Sequence, residues 1–341
     1  TFWAFLAALF IIALGLTCLE TAANPYSSVL GPQDRSAQRL NLSQSFNGLG
    51  WVIGPVTGSL ILFATASGEN KFATLAIPYI GIGIVVLIVA ILFYFTRLPD
   101  IDEAALKQEG DGNENIRAGE KPLFRHPHFV FAVIAQFFYV AAQTGINSFF
   151  INYVTDIFHQ SSSGQFTGAL MLNRLTGLVE KLNPGITGYE NLLNTTAGLL
   201  LSFSFGLFMA GRFFGSMLLT WIKPARLLLV YSLLCMALTG LVMTGAGMIG
   251  IVSLILIYLF MSIMFPTIFA LGLRSLGSHT RRASSFIVMA IVGGAVFTPI
   301  MGLIADHSSM RIGFVVPLIC FAIILLFSLN TYKLNNRTIE Q

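Results

Sequence analysis

The chain alternates long charge-free apolar runs with short polar breaks. A helix needs roughly 20 apolar residues to cross the hydrocarbon core of a bilayer, where no water is present to satisfy backbone polar groups. Nine stretches meet that requirement, at about residues 1–30, 40–68, 72–96, 129–155, 191–222, 227–244, 248–273, 283–305 and 312–332. The sixth and seventh come from one run, Leu227 to Leu273, too long for a single crossing at about 1.5 Å per residue. The turn between them is expected at Gly245-Ala246-Gly247. The most polar segment, residues 97–128, carries Asp100, Asp102, Glu103, Glu109, Asp111 and Glu114 and reads as a cytoplasmic linker, with AALKQ (residues 104–108) as a surface helix. It separates three spans from six. The segment QFTGALMLNRLTGLVEKL (residues 165–182) is mildly amphipathic and reads as a helix on the outer membrane surface or as packing.

Composition agrees with an all-α membrane protein: 55% of the 341 residues are hydrophobic, 10% are charged, and the mean hydropathy is +0.78. Charge placement orients it. If the first helix runs from outside to inside, the inner loops hold fourteen of the nineteen Lys and Arg residues, the outer loops hold Lys71, Arg174, Lys181 and Arg311, and Arg212 falls within a span. This positive-inside bias accounts for the basic pI without nucleic acid and puts the C-terminus in the cytoplasm. It also makes Thr1 extracytoplasmic, so an N-terminal segment is expected to precede it. Cys18, Cys235 and Cys320 lie in apolar runs without regular spacing and read as core residues. The five histidines read as loop residues. With no Ser-His-Asp or Cys-His arrangement, no metal-ligand spacing and no phosphate-binding glycine loop, neither an enzyme nor a cofactor or metal site is expected.

A charge at the bilayer centre costs at least about 2.5–3.5 kcal/mol, so each one needs a reason. Glu20 is the one acidic residue expected inside a span, and Asn24 follows four residues later on the same helix face, next to Pro25. A carboxyl in a medium of low dielectric favours its neutral form, which suits Glu20 to proton uptake and release; the alternative is a structural carboxylate neutralised by Arg212. Gln44 and Asn47 share a face of the second span, with Asn41 nearby. Gln136, Tyr139, Gln143 and Asn147 follow a helical stripe in the fourth, a pattern expected of a wet, ligand-binding wall or of interhelical hydrogen bonds. Arg212 reads either as a cation snorkelling to the inner interface or as part of an inner gate. Gly50, Gly54 and Gly58, then Gly211 and Gly215, and finally Gly293 and Gly294 have the spacing of closely packed helices. Pro266 and Pro299 are expected to interrupt theirs.

The motifs CLETAANPYSSVLGP, RLNLSQSFN, AQFFYVAAQTG, MFPTIFALGLRSLG and SSFIVMAIVGGAVFTPIMG resemble, in order and through nearly the whole chain, the fucose-galactose-glucose:proton symporters of the major facilitator superfamily. The resemblance implies a major facilitator fold with nine of twelve transmembrane helices present, family helices 4 to 12. It divides the chain into residues 1–96 (helices 4–6 of the N-terminal half), the linker 97–128, residues 129–332 (the C-terminal half, helices 7–12) and a cytoplasmic tail, 333–341. It implies a proton-coupling role for Glu20 and sugar contact for Gln44 and Asn47. A fucose-carrying member has Gln-Tyr where this chain has Met264-Phe265, whereas glucose, galactose and N-acetylglucosamine carriers have similar Met-Phe sequences; SSFIVM and TPIMGLIAD lean toward fucose. The expectation is a monomeric, multi-pass carrier of the inner membrane that takes up a monosaccharide, L-fucose foremost, with a proton by alternating access. Glu20 couples the proton, Arg212 gates, and Asn24, Gln44, Asn47, Gln136, Tyr139, Gln143, Asn147 and Phe265 line the sugar site. A glucose/galactose or N-acetylglucosamine carrier, a sodium-coupled or uncoupled carrier, and a sugar sensor without flux are the alternatives.

Overall fold

A computed structural model describes residues 2–30, 32, 35–64, 71–96, 122–162, 169–182, 189–274, 276 and 279–337. Most of the linker, including AALKQ, lies outside them, as do residues 165–168 of the amphipathic segment and 338–341 of the tail. The described residues form α-helices with one short 3-10 turn, Leu123–Arg125. In chain order they are α1 (Phe2–Val29), α2 (Ser36–Ala64), α3 (Lys71–Phe95), α4 (Pro127–Ser162), α5 (Ala169–Leu182), α6 (Tyr189–Leu218), α7 (Pro224–Thr244), α8 (Met248–Met261), α9 (Met264–Leu273), α10 (Thr280–Met289), α11 (Val292–His307), α12 (Met310–Gly313) and α13 (Val315–Arg337). Among the described residues, seven segments are long and apolar enough to cross a membrane: Trp3–Ser27, Pro127–Gln160, Leu192–Leu218, Pro224–Thr244, Met248–Leu273, Arg282–His307 and Met310–Tyr332.

The turn between α7 and α8 is where glycine demands it. Gly245 and Gly247 have φ of 64° and 53°, a left-handed backbone that other residues rarely adopt. Two of the segments are broken rather than continuous. Met248–Leu273 divides at Ser262–Ile263, three residues before Pro266, and Arg282–His307 divides at Ala290–Ile291, while Pro299 stays inside α11.

Helix α4 is the hub. It packs against α6, α9, α11 and α13, and the core around it is aromatic: Tyr139, Phe150, Tyr153, Tyr258, Phe314 and Phe321 are fully buried. Glycine sets the closest approaches. A Cβ on Gly293 would meet the carbonyl oxygen of Phe137, one on Gly294 the hydroxyl of Thr144, one on Gly211 the carbonyl of Leu259, and one on Gly215 the side chain of Ile263. The expectation fails at Gly50, where a Cβ would meet open space; the surroundings of Gly54 and Gly58 lie outside what is described. A second apolar cluster joins Leu40 of α2 to Leu123, Phe129, Phe269, Leu273 and Ile287. It seals the end of the molecule where α2 begins and α9 ends.

Other expectations are corrected. Cys18 is exposed on α1, whereas Cys235 and Cys320 are buried. His128 and His159 lie in α4 and His307 in the last turn of α11, so these three are helix-end rather than loop residues. Asp156 and Asp306 fall in the terminal turns of spanning segments, which leaves Glu20 as the acidic residue well inside one among the described residues.

Gly293→Val should push α11 off α4 and destabilise the protein by about 1–3 kcal/mol, whereas Gly50→Ala should be neutral or stabilise by up to about 1 kcal/mol. Thermal unfolding in detergent checks both; equal midpoints for the two variants would contradict the packing described.

Candidate functional site

The site is built around a break in a membrane helix. In a continuous helix the carbonyl of Ser262 would accept from the N–H of residue 266, but that residue is Pro266, which has none. The interruption also leaves the carbonyl of Met261 at the end of α8. Both acceptors are buried in an apolar core and must find donors. Arg212 Nε donates to the Ser262 carbonyl at 3.1 Å, and the Tyr139 hydroxyl donates to the Met261 carbonyl at 3.1 Å.

Arg212 then reaches across to α2. Its Nη1 donates to the backbone carbonyl of Gln44 at 2.6 Å and lies 3.3 Å from Gln44 Oε1, while its guanidinium carbon sits 4.6 Å over the ring of Phe208. At 6% exposure the cation is buried, so it does not snorkel.

The direction of the rest of the network follows from Arg212 having donors only. Gln44 must present its oxygen to it, and that oxygen also accepts from Asn47 Nδ2 at 3.2 Å. Gln44 Nε2 is thereby turned to Asn24, whose Oδ1 accepts at 2.7 Å. Asn24 and Gln44 are buried and Asn47 is exposed. Glu20, one turn before Asn24 on α1, is half-buried and feels the charge of Arg212 without pairing to it. Three amides and a guanidinium thus form one hydrogen-bonded network running from α1 through α2 to α6, with the Glu20 carboxyl one turn away on α1.

The same interface continues toward the sealed end. Ser216 donates to the Gln38 carbonyl at 3.2 Å, and Asn41 Nδ2 lies 3.4 Å from Thr267 Oγ1. On the other side of the patch, Trp51 makes an edge contact with Phe205 (centroids 5.4 Å apart) and stacks with Phe208 at 6.3 Å.

The polar stripe of α4 is split by this geometry. Gln136 and Tyr139 are fully buried, and Tyr139 serves the helix break instead of facing an open wall. Neither end of the Gln136 amide has a hydrogen bond among the described residues. Gln143 and Asn147, further along the stripe, are half-buried. Phe265 is mostly buried, edge-on to Tyr139 at 6.2 Å and stacked with Phe269. The sequence reading missed Ser262, Thr267, Ser216 and Phe208. A usable signal existed for Ser262, because a proline four residues on frees its carbonyl. Among the described residues no cluster of His, Cys, Asp or Glu could hold a metal ion.

Arg212→Gln removes the cation that ties α6 to α2 and to the helix break, leaving the buried Ser262 carbonyl without its donor at about 1–3 kcal/mol. In a cysteine-free background, a cysteine replacing Thr267 should react with a membrane-impermeant thiol reagent at least about tenfold faster when Arg212→Gln is added. An unchanged rate would show that Arg212 does not hold the interface shut.

Comparison with known proteins places this geometry. The Major Facilitator Superfamily model matches residues 1–291. A Helicobacter pylori putative glucose/galactose transporter is 34% identical over 96% of this chain and 74% of its own length. The Escherichia coli L-fucose-proton symporter is 34% identical over 95% of this chain and 71% of its own, and a Brucella abortus glucose/galactose transporter 32% identical over 95% and 71%. A Major Facilitator Superfamily transporter, FucP, solved in the outward conformation, superposes with a TM-score of 0.73 at 34% identity, covering 97% of this chain and 77% of that one. These relatives are transporters and not enzymes, and the chain belongs with them to the Major Facilitator Superfamily, in the branch that contains the L-fucose-proton symporter and the glucose/galactose transporters.

Proposed function

We propose that the chain takes up a monosaccharide, L-fucose foremost, together with a proton across the bacterial inner membrane by alternating access. The observation that carries the reading is Glu20, the carboxyl well inside a spanning segment among the described residues, one turn from an amide whose hydrogen bonds lead through Gln44 to the buried cation joining α2 to α6. The names of the relatives divide between fucose and glucose/galactose at nearly equal identity, which supports a monosaccharide more strongly than any single sugar.

In this reading the nine predicted spans are family helices 4 to 12. Residues 1–96 and 129–332 belong to the two halves, 97–128 link them in the cytoplasm, the C-terminus is cytoplasmic, and the carrier works as a monomer. Asn24, Gln44 and Asn47 form one wall of the sugar site; Gln143, Asn147 and Phe265 face them, with Gln136 and Tyr139 behind. The end closed by the Leu40 cluster is the cytoplasmic one in this reading. A proton on Glu20 removes a negative charge from the field of Arg212 and favours sugar binding from outside. Release of the proton inside lets the empty carrier return.

Glu20→Gln mimics the protonated carboxyl. It should abolish uptake driven by a proton gradient, by about a hundredfold or more, while retaining exchange of labelled for unlabelled L-fucose, because exchange needs no net proton movement. Right-side-out vesicles test both; gradient-driven uptake that survives the substitution would reject Glu20 as the coupling site.

A further inference from the structure

Residue Trp51 follows Gln44 by seven positions on α2, and seven residues on an ideal helix differ in direction by only about 20°. It follows Asn47 by four, about 6 Å along the axis. Trp51 therefore extends the Gln44–Asn47 face by one turn, away from the sealed end. Phe205 meets the indole edge-on and Phe208 stacks beside it at an interplanar angle of 16°, so two rings of α6 fix the orientation of the indole. Phe208 in turn carries Arg212 over its ring. Despite these neighbours, Trp51 is 41% exposed. Large apolar side chains on the lipid-facing surface are common here, but this one is held by aromatic contacts at the boundary between α2 and α6, directly beyond an exposed amide.

We propose that Trp51 is a sugar-contacting residue, a stacking platform for the apolar face of a pyranose whose hydroxyls are bonded by Asn47. This rests on the sugar-carrier reading above. The chemistry is that of a ring quadrupole: the electron-rich face attracts the C–H groups of a pyranose, which its ring and hydroxyl oxygens leave partly positive. Sugars that cluster the hydrogens of C3, C4 and C5 on one face, as galacto-configured pyranoses such as D-galactose and L-fucose do, present the best surface. An amide beside an aromatic face is also the division of labour expected of a small-ligand site, in which apolar contact supplies area and a few polar groups fix orientation. Gln44 has both ends of its amide occupied by Asn24, Asn47 and Arg212. Its part in the site is to position Asn47 and Arg212, and Trp51 supplies contact area that the amides lack.

The other two tryptophans make the test direct. Trp3, at the start of α1, and Trp221, just after α6, are 79% and 78% exposed and can be replaced by Phe to leave Trp51 as the lone indole. In purified Trp3→Phe/Trp221→Phe protein, saturating L-fucose or D-galactose should shield the remaining emission from acrylamide quenching at least about twofold. By calorimetry, Trp51→Leu, which keeps bulk but loses the ring, should bind the same sugar about tenfold more weakly, and Trp51→Phe should recover most of the loss. Unchanged quenching, or wild-type affinity in Trp51→Leu, overturns the proposal while leaving the carrier reading intact. If Trp51→Leu does not fold, the quenching result decides. If neither L-fucose, D-galactose nor D-glucose binds the unsubstituted protein, both the platform and the carrier reading fall.

Discussion

Two carbonyl oxygens at a broken membrane helix, those of Met261 and Ser262, set the terms for the rest of the structure. In lipid or in an apolar core an unpaired carbonyl costs several kcal/mol, so a break at Ser262–Ile263 is tolerable only if donors are brought to it. The chain brings Tyr139 from α4 and Arg212 from α6. The first is a neutral phenol that ties two helices of one bundle together. The second is a cation, and burying a cation is itself costly unless its remaining donors are also satisfied. Arg212 meets that demand by reaching the Gln44 carbonyl and lying over Phe208. The need to satisfy a helix break thus fastens α2 to the helices that follow the linker.

That fastening places the ionisable chemistry. Gln44 can serve Arg212 only by turning its oxygen toward it, which turns its amide nitrogen to Asn24 and orders the face of α1 that carries Glu20. A change of charge at Glu20 is felt by the same cation that holds the closed end. In the proposed reading, the proton site and the cation that joins α2 to α6 lie within one patch, so their coupling needs no long pathway. The apolar cluster around Leu40 and the Ser216–Gln38 bond extend the contact, and neither carries charge.

Hydropathy made most of the architecture legible. The apolar runs and the two left-handed glycines of the α7–α8 turn are visible in the sequence because membrane helices and tight turns are demanded locally. Glu20, Asn24, Gln44 and Asn47 were also legible, since polar groups at depth are conspicuous and share helix faces. Partnership across helices was not. Tyr139 looks like a member of a wet stripe with Gln143 and Asn147, yet its hydroxyl is spent on a carbonyl 122 positions away. Arg212 looks equally able to snorkel, and only its contact with Gln44, 168 positions distant, decides otherwise. Gly50 matches the small-residue spacing of Gly211 and Gly215 but has nothing against it. Spacing reports which residues share a face; it does not report what the face meets.

We propose that sugar and proton move inward together through the site around Glu20 and Arg212. The most direct measurement is the external pH of a lightly buffered suspension of de-energised right-side-out vesicles on addition of L-fucose or D-galactose. Coupled entry gives a sugar-dependent alkalinisation outside that disappears when a protonophore is present. Sugar entry at the same rate with no change in external pH would contradict it.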